Sequence, residues 1–191
     1  MAQWLQTHLH DTTATFLYGN HDVHYRFPYH EALVYPGHSR EKACVINEVL
    51  RPSDWDRMRL AHQAGAFLLS HAGFSPIWIE EPSVERILAR CRLAEQRAAS
   101  GVLDPVFTYG ELPGGVQKFG GPLAMDFGFF VGIEGINQIF GHTPGSDVRF
   151  KEFGDSVNLC LDVENGSIAA LVQGEHVEIL RMPEAAINSP Q

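Results

Sequence analysis

Three short apolar runs, each breaking off into a small polar turn, organise the first three quarters of this chain. Ala14-Thr15-Phe16-Leu17-Tyr18 predicts a buried strand that runs straight into Gly19-Asn20-His21-Asp22. Ala66-Phe67-Leu68-Leu69-Ser70 repeats the plan and delivers His71 before Ala72-Gly73 turns away. Ile136-Asn137-Gln138-Ile139-Phe140 is the third run, ending in Gly141-His142-Thr143-Pro144. Helical spacing fills much of the rest. Trp4, Leu5 and Leu9 share one face of a short helix that ends near His10-Asp11. Residues 40–50 and 53–64 predict two more helices, the second capped by Ser53 and stopped by Gly65. The longest spans 81–99, with Val84, Ile87, Leu88, Cys91 and Leu93 as its core stripe. Residues 101–121 are rich in Gly and Pro and predict a linker or a loop over a site. Apolar runs at 157–163, 167–172 and 176–182, separated by turns at 164–166 and 173–175, predict an antiparallel β-meander. The expected architecture is therefore α/β: sheets flanked by helices, closed by that meander, in one domain over 1–182 with a frayed tail over 183–191.

Composition narrows the function classes. With 191 residues, 45% of them hydrophobic and 19% charged, the chain can bury one sizeable core. A formal charge of -9 repels a polyanion, so no nucleic-acid polymer is expected as partner. Cys44, Cys91 and Cys160 are far apart and odd in number, which excludes a disulfide framework and a thiolate zinc site from the expectation. No signal-like start and no membrane-length apolar run is seen, and a soluble cytoplasmic protein is expected. Ten histidines are many for this length. Imidazole is the commonest protein ligand for transition metals.

A single histidine at a strand end is more often a hydrogen-bonded structural residue than a ligand. Here three strands end at or beside one, and ligand sites in α/β sheets lie beyond the carboxyl ends of strands. Asn20 offers an amide oxygen, and His71 and His142 offer imidazole nitrogens. That mixed oxygen and nitrogen set suits Mn, Fe or Zn better than Ca. The glycines preceding Asn20 and His142 leave room for an ion and a phosphate oxygen near the backbone.

Taken together, Gly19-Asn20-His21-Asp22, Ser70-His71-Ala72-Gly73 and Gly141-His142-Thr143-Pro144 resemble the calcineurin-like metallophosphoesterases. The likeness is to the bacterial and phage members related to the serine/threonine protein phosphatases and diadenosine tetraphosphate hydrolases, and it covers 3–172. It implies part of that family's β-sandwich and metal-assisted hydrolysis of a phosphate ester or anhydride in a protein, nucleotide or small molecule. It implies Asn20, His71 and His142 as ligands to one of two divalent ions, and His21 as the acid that protonates the leaving oxygen. Asp22 then caps or orients the turn around His21.

The family also uses an Asp-x-His on a first strand and a Gly-Asp-x-x-Asp on a second, and neither occurs ahead of Gly19. The eighteen residues before Gly19 are too few for a strand-helix-strand unit, which takes about thirty. The expectation is an N-terminally incomplete domain with one supported metal site, the second lacking its ligands. Three readings follow: a shortened phosphoesterase, a composite site completed by another chain, or a one-ion binding or interaction module. His8-Leu9-His10-Asp11 is read as a solvated turn. Arg149 is expected in a surface ion pair, with phosphate contact as the alternative, and Arg26 and Arg40 likewise. His24, His30, His38 and His62 are read as solvated or structural.

Overall fold

A computed structural model describes residues 2–35, 37–78, 80–107, 109, 121–164 and 168–181. Helix α1 (Ala2–Leu9) buries Leu9 and ends in a turn closed by the Asp11 carboxylate, which accepts from Thr13 N–H at 2.8 Å. Strand β1 (Phe16–Leu17) follows, shorter than the apolar run suggested, and then the one-turn helix α2 (Val23–Arg26). Helix α3 (Arg40–Val49) lies where its spacing predicts, with Ser39 Oγ accepting from Lys42 N–H.

The helix expected over 53–64 does not form. Only one turn, α4 (Pro52–Trp55), is helical, started by Pro52 and by Arg51 N–H donating to the Asp54 carboxylate at 2.8 Å. The chain then extends as β2 (Met58–Arg59) and β3 (Ala61–Ala64), which turns at Gly65 into β4 (Phe67–Ser70). Trp55, Met58 and Leu60 are all buried, a spacing that both a helix and a strand can present. Pairing with β1 and β4 decides for the strand, and that pairing is non-local.

Helix α5 (Val84–Ala99) starts at Ser83, whose Oγ accepts from Arg86 N–H. Ile87 and Cys91 of the expected stripe are buried and Val84 and Leu88 pack against the same core, together with Ala94 and Ala98, whereas Leu93 is 50% exposed and off that face. After it come β5 (Asn137–Phe140), β6 (Arg149–Phe153), β7 (Ser156–Cys160), β8 (Ile168–Gln173) and β9 (His176–Arg181).

Five of these strands form one mixed sheet in the order β3-β4-β5-β7-β6. The three middle strands are parallel, and the two outer ones are antiparallel to their neighbours. Alternation sorts their side chains. Phe67, Ile139 and Leu159 point to one face, where Ala170, Val172, Val177 and Ile179 of the β8–β9 hairpin cover them. On the other side Leu68 joins the main core with Ile87, Cys91 and Phe107, while Phe140 and Cys160 join Met125 and Phe130. The expected meander is thus corrected. β7 lies inside the five-stranded sheet beside β5, and β8–β9 is a separate hairpin packed across it. The α/β class stands; the turn at Asn165-Gly166, the loop over 110–120 and the tail lie outside the described residues. Among the described residues no helix is long and apolar enough to cross a membrane.

The bend between β2 and β3 is held from α5. Leu60 N–H donates to Glu95 Oε1 at 2.7 Å, and burial raises the Glu95 carboxyl above its ordinary range despite that bond. A carboxyl whose folded pKa is raised gives its full contribution to stability below its unfolded pKa. That contribution is lost as pH rises through the folded pKa. Glu95→Gln keeps an acceptor and removes the titration. Melting temperatures of wild type and Glu95→Gln should therefore diverge in favour of the variant as pH is raised from the carboxylate range to neutrality. Glu95→Ala strands the Leu60 N–H and should cost about 1–3 kcal/mol by denaturant titration.

Candidate metal centre

Strand pairing brings the three motifs to one place. β4 and β5 are parallel neighbours, so His71 and His142 follow their carboxyl ends side by side, and Gly141 N–H donates to His71 O at 2.9 Å. β1 arrives differently from the expectation, because it belongs to a separate two-stranded parallel patch with β2. Leu17 pairs with Arg59, β2 leads through Leu60 into β3, and Ala61 pairs with Ser70. That register sets the end of β1 beside the end of β4.

Three donor atoms meet there. His71 Nε2 stands 2.9 Å from Asn20 Oδ1 and 3.0 Å from His142 Nδ1. Burial, followed by the neighbouring His142 and His21, pushes the His71 imidazole down to about 4, so at neutral pH its ring is uncharged. Burial also lowers His142, and Asp126 and Asp162 oppose that shift. Asn20 is 2% exposed, and its Nδ2 has no hydrogen-bond partner among the described residues. His142 adopts φ 73°, left-handed backbone that a residue with a side chain rarely takes, as strained residues at functional sites do.

These residues fit a divalent ion. Atoms 2.9–3.0 Å apart are at hydrogen-bonding distance, which is also the spacing of adjacent ligands on an octahedral ion bonded at about 2.1 Å. Two neutral imidazoles and an amide oxygen have lone pairs in excess of the protons between them. Among the described residues no three His, Cys, Asp or Glu side chains group as metal ligands, so this set reaches three only through the amide of Asn20.

The surroundings hold the cluster in place. Asp22 Oδ2 accepts from Gly19 N–H at 3.0 Å, closing the turn that carries Asn20 and His21. Tyr109 OH is shared between Asn20 O at 3.0 Å and Leu33 O at 2.9 Å, tying that turn to the loop before α3. No feature of the sequence pointed to Tyr109. Gly73 has φ 88°, and a Cβ there would lie 2.6 Å from the Phe130 ring, so the turn after His71 requires glycine. Arg149 is in no ion pair among the described residues, contrary to expectation. Its guanidinium donates to Thr143 O, lies 3.3 Å from Cys160 Sγ and sits over the Phe127 ring, bracing the turn that presents His142. Arg26 pairs with Asp56, and His10 faces Asp54 at 3.5 Å. His21 is exposed and packs against Tyr35 with ring centroids 4.2 Å apart.

No protein-family model matches the chain, and neither does any curated protein or solved structure.

The room left by Gly19 is used by protein. A Cβ on that residue would lie 3.0 Å from Asp22 Oδ2 and 3.2 Å from His71 Nδ1. Gly19→Ala should therefore push His71 away from Asn20. The expected result is a stability loss of about 1–3 kcal/mol together with weakened Mn binding in a calorimetric titration. Gly141→Ala, whose Cβ would meet Asp162 Cβ at 3.5 Å and His71 O at 3.8 Å, both ordinary van der Waals distances, should be milder in both measurements.

Proposed function

We propose that this chain is a metal-assisted hydrolase of phosphate esters or anhydrides, with Asn20, His71 and His142 holding a divalent ion of the Mn, Fe or Zn kind. The observation that carries the reading is the meeting of Asn20 Oδ1, His71 Nε2 and His142 Nδ1 from three separate strand ends. When bound, such an ion supplies positive charge for the phosphoryl oxygens and lowers the pKa of a bound water.

The chain's own residues account for the rest of the proposal. Asn20 presents Oδ1 toward His71 Nε2 and is itself held by Tyr109 OH on its backbone carbonyl. His21 follows Asn20 directly but is exposed, so its imidazole can reach a leaving oxygen at the mouth of the site and give it a proton. Asp22 fixes the turn through Gly19 N–H, and Tyr35 packs against the His21 ring and limits its rotation. Each group acts on position or on one proton.

A second reading is favoured by one observation: among the described residues no carboxylate joins the three ligands. An ion held by neutral ligands alone has less charge compensation than one bridged by an aspartate. The chain would then be a one-ion binding module without turnover. One experiment separates the two. Mn-loaded protein should carry at least about one ion per chain and hydrolyse p-nitrophenyl phosphate. His21→Ala should keep the metal and lose about 10²–10⁴-fold in kcat. His71→Ala should lose metal affinity by at least about tenfold. Bound metal without turnover in the wild type selects the module, and no bound metal under saturating Mn overturns both readings.

A further inference from the structure

A cleft of about 280 Å³ opens between β2 and α5, and none of Asn20, His21, His71 and His142 lines it. Its lining carries three guanidinium groups from three elements: Arg26 of α2, Arg59 of β2 and Arg92 of α5. Two carboxylates share the lining, Asp56 and Glu95. In a chain whose formal charge is -9, cations outnumber anions at this one cleft. The buried side chains of Tyr18, Phe27 and Met58 back it.

The donors of these groups are only partly used. Arg26 pairs with Asp56 through Nη2. Arg59 donates through Nη1 to two carbonyls, Asp56 O at 2.5 Å and Met58 O at 2.7 Å, and its Nη2 and Nε have no partner among the described residues. Arg92 is exposed and has neither a hydrogen bond nor an ion pair among the described residues. Glu95 accepts from Leu60 N–H, and burial raises its carboxyl above the ordinary range although Arg59 and Arg92 both oppose that shift. One carboxylate is thus engaged with Arg26 and the other with the backbone. Arg59 and Arg92 are left without a paired counter-charge among the described residues. We propose that this cleft binds a tetrahedral oxyanion, a free phosphate or the phosphate of a small ester, between Arg59 and Arg92 with Arg26 alongside.

Number, direction and setting select that chemistry. Guanidinium N–H groups make charge-assisted bonds to phosphoryl oxygens, and here several of them are unengaged. Donors carried by a strand and two helices need acceptor oxygens pointing in more than one plane, which a tetrahedral anion offers and a planar carboxylate does not. Guanidinium groups around one cleft repel each other, and an anion between them relieves that repulsion. Low-dielectric walls behind the charges focus their field into the cleft. The volume lies just under the roughly 300–1,000 Å³ of drug-sized pockets, which leaves room for a phosphate with a small group attached.

This site is separate from the proposed hydrolase centre, and its test needs neither metal nor turnover. Inorganic phosphate is titrated calorimetrically into the full chain at fixed ionic strength without added metal. The wild type should bind about one phosphate per chain, saturably, at millimolar affinity or better. Arg92→Ala removes an exposed side chain with no bond to lose and should weaken binding at least about tenfold. Glu95→Gln keeps the acceptor for Leu60 N–H, removes the opposing charge and should tighten binding at least about threefold. Arg86→Ala makes the same change of net charge on α5 outside the cleft, where Arg86 pairs with Glu81, and should leave the affinity at the wild-type value. So should His71→Ala, which lies outside the cleft. Glycerol 3-phosphate in place of phosphate distinguishes the two sources, since tighter binding of the ester assigns the ester and tighter binding of phosphate the free ion. Acetate at the same concentration should not compete. The proposal is overturned by the absence of saturable phosphate binding, by equal losses in Arg92→Ala and Arg86→Ala, or by acetate displacing phosphate on equal terms.

Discussion

The pairing of Ala61 with Ser70 is the constraint on which the rest of the site depends. β3 and β4 form a hairpin, and β2 runs directly into β3, so the β1–β2 register is carried to the end of β4. A slip of one residue anywhere along this relay would turn side chains to the opposite face and carry Asn20 away from His71. Two contacts guard against it. Glu95 satisfies the Leu60 N–H that the bend leaves outside both ladders, and Tyr109 anchors Asn20 O from the other side. The candidate site is therefore maintained by α5 and by a tyrosine following it, as much as by the strands that carry its donors.

The second half of the site is held by a different set of forces. Between β5 and β7 the ladder continues past the strand ends, with Leu161 N–H donating to Phe140 O and Gly145 N–H to Asp162 O. His142 sits inside this closed turn in left-handed backbone, with Arg149 bonded to Thr143 O and Phe127 N–H donating to Thr143 Oγ1. Strain at one residue persists when its neighbours over-determine the backbone, and here both sides of His142 are pinned. Lys151 secures the wall behind it by donating to Phe127 O and Phe130 O.

Much of this was legible in the sequence. Local signals placed α3, α5, β4 and β5 within a few residues, because caps at Ser39 and Ser83 and the apolar runs before His71 and His142 are short-range features. Grouping Asn20, His71 and His142 needed only the repeated plan of strand followed by polar turn. What could not be read was long-range. β2 and β3 looked helical because Ser53 and Gly65 resemble a helix cap and stop, and only their partners in β1 and β4 reveal them as strands. β7 and β8 looked like neighbours in a meander because a turn separates them, yet β7 found its partners in β5 and β6. Tyr109 was invisible for the same reason: it matters through Asn20 and Leu33, both distant in sequence.

Where the fold leaves polar atoms unmet is itself informative. Among the described residues five buried side-chain atoms lack a partner: Asn20 Nδ2, His24 Nδ1, Arg90 Nε, Arg149 Nε and Asn158 Oδ1. The last three belong to groups anchored through another atom, Arg90 on Asp104, Arg149 on Thr143 O and Asn158 on Lys151 O, so each deficit is local to a residue with a structural task. Asn20 follows the same pattern, held through its Oδ1 at His71 Nε2 and its carbonyl at Tyr109 OH, and the buried His24 ring packs edge-on against His38. Native proteins satisfy nearly all buried polar groups, because an unmet one costs about 1–3 kcal/mol.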